Sequence, residues 1–347
     1  MGEVLDGAAV RRWCGLAAEA LGRTRAEIDA LNVFPVPDGD TGTNLHLTVL
    51  SAADAVHELP EDAGAPEVWG TLARGALLGA RGNSGVILSQ FLRGMAEILG
   101  GRGAPPPDGR ILGEALGYAA LRARHAVEHP VEGTILSVLD EASAGTGDEP
   151  TLAGAARAAA AGARRALRAT TGRLDALASS GVVDAGGAGL CVVLDALAAV
   201  ITDEYPEHYE IPPRIPPAPG SAHRAARPDA APPGPGYEVM YLLDAPDDGI
   251  DLLRSTLDGL GDSLVVVGGD GLWNVHVHVD DAGAAIEAGL AAGRPHRIRV
   301  TYLAAADGGG PHPPCVGRAV VAVTAAEGLA ELFEAGGARV VRRAPGA

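Results

Sequence analysis

The first two hundred residues repeat apolar positions at helical spacing and contain no convincing strand, which restricts this part of the chain to an all-α fold. Aromatic residues make up only 3% of the sequence, so Ala, Leu and Val must form the core. Short loops join the successive runs, and we therefore predict an antiparallel bundle. Eight helices are expected, at about residues 5–30, 44–58, 67–79, 84–99, 110–127, 133–143, 150–170 and from a turn at 181–189 to 203.

The chain is predicted to be multidomain, because its character changes after the helical region, residues 1–205. Residues 206–236 are rich in proline and read as an extended linker, with a ligand for a proline-recognition domain as the alternative. Residues 237–303 follow the order β-α-β-β-α-β and predict a small α+β domain. Residues 304–347 hold a second Gly/Pro-rich segment and one β-α-β pattern, which is too little to fold as a domain. The expected strands are 237–243, 263–267, 272–279, 296–302, 319–323 and 339–342, and the expected helices are 249–259, 282–292 and one that ends at Glu334.

A pair of carboxylates stands out in residues 32–44, Asn-Val-Phe-Pro-Val-Pro-Asp-Gly-Asp-Thr-Gly-Thr-Asn. Asp38 and Asp40 lie two apart, and carboxylates this close repel each other unless a cation lies between them. Their oxygen ligands suit Mg²⁺, which binds one or two carboxylates together with substrate phosphates, and Asn32 would supply a third oxygen. The helix that follows favours an anion at its N-terminus. The alternatives are a surface turn that caps a helix and, for Asn32, a role in turn capping.

Three further turns lead into predicted helices. Residues 82–85, Gly-Asn-Ser-Gly, could cradle phosphate oxygens with backbone N–H groups and the Ser84 hydroxyl, although Asn and Ser also cap helices. Thr134 either caps its helix or touches phosphate. Asp184 either accepts a hydrogen bond from ribose or adenine or holds its own loop.

His276 and His278 lie two apart on a predicted strand, so both side chains point to one face. Two imidazoles at this spacing form half of a zinc site. The alternative is a pair of half-buried histidines without a metal.

Charge and cysteine usage bound the possible partners. Asp and Glu outnumber Lys and Arg by 44 to 27, a net charge of −17 that argues against nucleic acid or an anionic membrane surface as partner. The sequence has no lysine, so a Walker lysine is excluded. Cys14, Cys191 and Cys315 are scattered, which indicates a reducing cytoplasm. We expect no membrane span, because no uninterrupted apolar run approaches the required length.

Several of these motifs occur, in the same order, in one family. Residues 32–44 resemble the signature of the nucleotide-binding subunit of dihydroxyacetone kinases and, more closely, that of the ATP-binding subunit of bacterial fatty acid kinase. The likeness covers about residues 5–340 and includes the segments 79–85, 130–136, 181–189, 261–267 and 275–279. It implies an eight-helix barrel with the nucleotide at one end, a middle domain, and a third domain of which this chain holds the opening.

The resemblance also implies roles for particular residues. Asp38 and Asp40 would be catalytic as ligands of Mg²⁺. ATP would be bound by Thr41, Gly42, Asn44, Gly82, Asn83, Ser84, Thr134, Asp184 and Gly186. In the relatives a cysteine on the first strand of the middle domain is expected to join the two histidines at zinc, and here that position is Glu238.

The activity that the resemblance implies is ATP-dependent phosphorylation of a fatty-acid carboxylate to an acyl phosphate. A separate fatty-acid-binding protein of the DegV type would present the substrate, and a homodimer is one open oligomeric state. Two alternatives stay open. One is a subunit of a kinase for dihydroxyacetone or another small polyol, and the other is a nucleotide-binding regulatory protein without turnover.

Overall fold

The computed structural model describes residues 5–101, 107–214, 235–303, 321–324 and 339–342. Most of the Pro-rich linker, the second Gly/Pro-rich segment with Cys315, and the helix expected before Glu334 lie outside the described residues. Residues 1–304 form one compact unit, and residues 305–347 form a second.

The described part of the first two hundred residues is helical throughout, as predicted. Its helices are α1 (Gly7–Asp29), α2 (Thr41–His57), α3 (Ala65–Gly79), α4 (Gly82–Leu99), α5 (Gly109–His125), α6 (Ile135–Thr146), α7 (Leu152–Thr170), α8 (Asp175–Ser180) and α9 (Ala185–Thr202). Each long helix packs against the next one along the chain, and α9 packs against both α7 and α1. The core consists mainly of Ala, Leu and Val, with Trp13 and Trp69 in contact at a ring separation of 5.8 Å.

Two predictions about this region were wrong in detail. The described residues contain a ninth helix, α8, whose six residues are too few for apolar periodicity to reveal. The segment predicted as a turn at 181–189 is helical from Ala185, because Asp184 caps α9. The glycine at 189 serves close packing instead, since a Cβ there would lie 2.2 Å from Leu45 Cδ1 of α2.

Helix α9 also corrects the expectation about membrane spans. It is the one helix among the described residues that is long and apolar enough to cross a membrane, with a mean hydropathy of 1.9 over 18 residues. However, 83% of it is buried inside the fold, as in the central helix of a packed bundle.

The predicted order β-α-β-β-α-β is observed after the linker. The strands β1 (Tyr237–Asp244), β2 (Gly261–Gly269), β3 (Leu272–Val279) and β4 (Arg294–Tyr302) form one antiparallel sheet in the order β2-β3-β1-β4. Helices α10 (Ile250–Asp258) and α11 (Ala282–Ala292) pack with the sheet around its own apolar core. In the second unit, β5 (Val321–Thr324) and β6 (Arg339–Arg342) pair in parallel.

The other face of the sheet packs directly on the helices. Met240, Val265 and Val267 share a buried apolar cluster with Leu77, Ala80, Val86 and Ala126. The segment after α5 adds to the β2 edge, where Val127 bridges to Val265 and the Glu128 N–H donates to the Leu264 carbonyl at 3.3 Å. This junction positions the candidate site described next.

Candidate active site

One cavity lies where the helices meet the sheet, and it collects nearly all the residues that the sequence nominated. The helical side contributes Asn32, Asp38, Asp40, Thr41, Asn44, Gly82, Asn83, Ser84, Thr134, Asp184 and Gly186. The sheet contributes Glu238, His276 and His278. Gly42 is the exception: it does not line the cavity, and a Cβ there would lie 2.4 Å from the Arg25 carbonyl, so it serves the packing of α2 on α1.

The loop before α2 holds its two carboxylates free of capping contacts. Asp40 occupies the N-cap position of α2, but its side chain caps no backbone N–H. Asn32 organises the loop, since its Nδ2 donates to the Val36 carbonyl at 2.6 Å and to Asp38 Oδ1 at 3.1 Å. The Asn32 oxygen accepts the Thr41 hydroxyl, so it is engaged within the loop.

Partial burial and mutual repulsion make these carboxyl groups hard to ionise. Partial burial, Asp40 and Glu238 raise the pKa of Asp38 to about 7. The pKa of Asp40 is also raised, by burial and by Glu238, although hydrogen bonds from Asn44 and Asp38 oppose the shift. A cation between the two groups would remove this cost, which fits Asp38 and Asp40 as Mg²⁺ ligands.

Four helix N-termini open onto the same cavity, those of α2, α4, α6 and α9. Gly82, with φ of +54°, begins α4, and a Cβ there would lie 2.4 Å from Asn44 Nδ2, so only glycine lets α4 approach α2 this closely. Asn83 Oδ1 is buried without a hydrogen-bond partner among the described residues. Backbone N–H groups and aligned dipoles at such N-termini favour phosphate.

Thr134 and Asp184 perform the capping roles that the sequence left open. The Thr134 hydroxyl donates to the Val131 carbonyl at 2.7 Å and accepts the Leu136 N–H at 3.4 Å. Asp184 accepts the Gly187 N–H at 2.7 Å at the start of α9. Burial raises the pKa of Asp184 to about 6, and hydrogen bonds from the backbone of Gly187 and Ile135 oppose the shift. Both residues also line the cavity, so capping does not remove them from the site.

The sheet presents a possible metal triad to the cavity. One ligand atom each of Glu238, His276 and His278 lie within 4.8 Å of one another. His276 Nδ1 is 3.6 Å from Glu238 Oε1, and neither ring nitrogen of His276 has a hydrogen-bond partner among the described residues. Burial lowers the pKa of His276 to about 3 and that of His278 to about 4, so both rings are neutral at pH 7 and able to bind a cation.

Sequence reasoning missed Asp262, Ser263 and His129, which line the cavity as well. Asp262 Oδ1 lies 3.8 Å from His278 Nδ1, and Ser263 has a φ of +54° at an irregularity in the pairing of β2 with β3. His129 contacts Asp258 of α10 at 2.9 Å. No local pattern marks these residues, because their approach depends on the docking of the sheet.

Two families of known proteins match successive parts of the chain. Residues 35–199 match the DAK2 domain, and residues 234–307 match the FakA-like middle domain of fatty acid kinase. Protein YloV of Bacillus subtilis strain 168 is 32% identical over 97% of this chain and 64% of its own length. Uncharacterized proteins of Staphylococcus aureus strains bovine RF122 / ET3-1 and USA300 are each 29% identical over 92% of this chain and 61% of theirs.

The chain therefore spans less than two thirds of the length of these relatives. Both matched regions contribute side chains to the one cavity, the DAK2 domain from its helix N-termini and the middle domain from its sheet. The chain belongs to the kinase family of FakA-like fatty acid kinase subunits, in which a DAK2 domain is followed by this middle domain.

Proposed function

We propose that the chain is the ATP-binding subunit of a fatty acid kinase and transfers a phosphoryl group from ATP to a fatty-acid carboxylate, giving an acyl phosphate. The shared cavity carries this proposal, because it joins a phosphate-binding wall to a wall of acceptor-side groups. Phosphoryl transfer requires positioning and charge neutralisation more than covalent help from the protein. The eight long helices would then act as the nucleotide-binding barrel of the family.

On the helical wall, the chain's own groups would hold the nucleotide. Asp38 and Asp40 would bind Mg²⁺, which neutralises phosphate charge when it is present. Backbone N–H groups at Gly82, Asn83 and Ser84 would donate to phosphate oxygens. This arrangement accounts for phosphate binding in a chain that has no lysine.

On the sheet wall, Glu238, His276 and His278 suit a divalent metal with an open position. Two neutral imidazoles and one carboxylate form the ligand set of some catalytic zinc sites. A Zn²⁺ ion bound there would polarise an oxygen of the acceptor. The acceptor carboxylate is already ionised at pH 7, so no strong general base is required.

The acceptor's apolar tail would be costly to expose to water. We therefore propose that a DegV-type fatty-acid-binding protein presents the carboxylate to the cavity, in the cytoplasm where ATP is available.

The deciding experiment measures acyl phosphate, trapped with hydroxylamine, after incubation with Mg²⁺, ATP and an oleate-loaded DegV-type protein. We expect product only when the partner is present, and a loss of at least 100-fold in the Asp38→Asn, Asp40→Asn double variant. Asp270→Asn is the matched control, because Asp270 is exposed at a turn with φ of +54°, which Asn tolerates. Unchanged product formation in the double variant would refute the metal-site assignment.

A kinase subunit for dihydroxyacetone is the second candidate, favoured by the DAK2 match. Its test adds dihydroxyacetone and the carrier subunit of such kinases in place of the fatty-acid partner. Turnover in that mixture alone would replace the proposal. Tight ATP binding without turnover in either mixture would indicate a regulatory protein.

A further inference from the structure

Two arginine side chains meet at the junction of the helices and the sheet without a carboxylate partner. Arg81 precedes the first residue of α4, and Arg299 lies on the edge strand β4. Neither guanidinium forms an ion pair or a hydrogen bond within the described part of the chain. Other arginines in the helices do have acidic partners, as Arg93 and Arg122 have in Glu97.

Backbone pairing and packing bring these two residues together. Arg299 is the register partner of Met240 on β1, and paired residues of an antiparallel sheet project from the same face. Met240 packs in the apolar cluster that contains Ala80, the residue before Arg81. Burial and the charge of Arg299 lower the pKa of Arg81, as expected for two neighbouring like charges.

The pair flanks the cavity from both walls. Arg81 adjoins Gly82, which lines the cavity on the helical side. On the sheet side, Thr301 is the register partner of the cavity-lining Glu238, and Arg299 lies two residues before it on the same strand. Arg299 is exposed and Arg81 is partly exposed, so an incoming anion can reach both.

We propose that Arg81 and Arg299 form an anion-binding site that receives the carboxylate of the phosphoryl acceptor. This inference rests on the proposed function and names two of its substrate-binding residues. A carboxylate that approaches a chain of net charge −17 is repelled, and Asp38, Asp40 and Glu238 add to the repulsion inside the cavity. Guanidinium groups bind carboxylates through paired charge-assisted hydrogen bonds, and a bound carboxylate would relieve the repulsion between the two arginines.

The choice of acceptor rather than nucleotide follows from what the helical wall already offers. The phosphates have helix N-termini and the Asp38–Asp40 pair on the DAK2 side. The arginine pair instead spans both matched regions, so it forms only where the acceptor-side sheet adjoins the helices.

The test measures binding of octanoate and, separately, of Mg²⁺–ATP by calorimetry in wild type, Arg81→Gln and Arg299→Gln. Each substitution should weaken octanoate binding about tenfold, the loss expected for one charge-assisted hydrogen bond, and should leave ATP binding within about twofold. Arg110→Gln is the matched control, since Arg110 lies at the N-terminal end of α5 and contacts only the exposed Glu114, at 4.0 Å, among ion-pair partners in the described residues. It should bind both ligands as wild type does.

Three results would overturn the inference: no octanoate binding by wild type, equal octanoate affinity in all variants, or weaker ATP binding with octanoate unaffected. The acyl-phosphate assay separates this inference from the proposed function. In that assay Arg299→Gln should raise the KM for the acceptor and leave kcat unchanged. Arginine-dependent octanoate binding without any acyl phosphate would retain the anion site and reject the kinase activity.

Discussion

At the scale of single residues, Asp38 is held in an environment that penalises its charge when no cation is bound. Partial burial, Asp40 and Glu238 raise its pKa from 3.8 to about 7. A carboxyl group whose pKa is higher in the folded state favours folding when protonated, so its contribution to stability is lost as the pH rises from 3.8 to about 7. This direction is opposite to that of an ordinary ion-paired aspartate.

Asp38→Asn should therefore stabilise the metal-free protein at pH 8 and have little effect near pH 4. We expect a gain of about 0.5–1 kcal/mol, well below the full linkage value, because the Asp38 side chain keeps contact with water, which screens its charge. Urea unfolding in EDTA at both pH values measures the difference. Mg²⁺ should reverse the ranking by stabilising wild type, and an equal difference at both pH values would contradict the electrostatic explanation.

Glu238 sets the ligand chemistry of the sheet wall, where a thiolate is expected in fatty acid kinase relatives. Wild type should bind one zinc ion through Glu238, His276 and His278, and Glu238→Gln should bind it at least 10-fold more weakly, because the amide carries no charge. Glu238→Cys should bind zinc more tightly than wild type, since thiolate is the softer ligand.

Competition with a chromogenic chelator gives these affinities. Glu204→Gln, a change at an exposed carboxylate on the helical side, is the control and should not alter zinc binding. Equal zinc affinity in wild type, Glu238→Gln and Glu238→Cys would show that Glu238 is not a ligand.

At the scale of elements, the sequence was informative where period and length were sufficient. Long helices and the face shared by His276 and His278 follow from periods of 3.6 and 2, which local sequence encodes. Helix α8 is too short for such a signal, and the glycines near 189 were read as a turn although they serve helix packing. The bulged backbone at Ser263 depends on contacts with β3, so the position of Asp262 beside His278 could not be predicted.

Asp184 is the element-scale residue whose role can be tested most directly. Asp184→Ala removes the cap of α9 at the cavity and should lower the free energy of unfolding by about 1–3 kcal/mol, while also weakening ATP binding. Asp184→Asn should lose less stability, because its amide oxygen can still accept the Gly187 N–H.

Chemical unfolding and ATP titration provide the two measurements. Thr151→Ala is matched to this change, since Thr151 caps α7 through the Gly154 N–H at 3.0 Å and is not among the cavity-lining residues. It should cost about 1 kcal/mol and leave ATP binding intact. Unaltered ATP binding in Asp184→Ala would reduce Asp184 to a structural cap.

At the scale of the whole molecule, the composite cavity depends on a junction with few polar contacts. The buried apolar cluster is supplemented by Asn274 Nδ2, which donates to the Leu77 carbonyl at 3.1 Å, and by Arg93 Nη1, which donates to the Gly268 carbonyl at 2.6 Å. The apolar residues of this junction resemble ordinary core positions in the sequence. The meeting of the two candidate sites in one cavity was therefore not predictable from either motif alone.

Arg93 and Arg254 offer a matched comparison that isolates the junction from the stability of the sheet. Both donate to carbonyl oxygens of β2, Arg93 to Gly268 across the junction and Arg254 to Val266 from α10 at 2.9 Å. Each also pairs with an acid on its own helix, Glu97 or Asp251. The two substitutions to Gln thus remove similar interactions, and only one of those interactions joins the helices to the sheet.

Arg93→Gln should slow acyl-phosphate formation at least several-fold while ATP affinity stays within about twofold, because a lost charge-assisted hydrogen bond of about 1.5–3 kcal/mol weakens docking without touching the nucleotide wall. Hydrogen exchange should increase at β2 and at residues 127–128, which pair across the junction. Arg254→Gln should leave exchange at residues 127–128 unchanged. If both variants slow transfer equally, sheet stability rather than docking limits the reaction, and the cavity would not require a closed junction for catalysis.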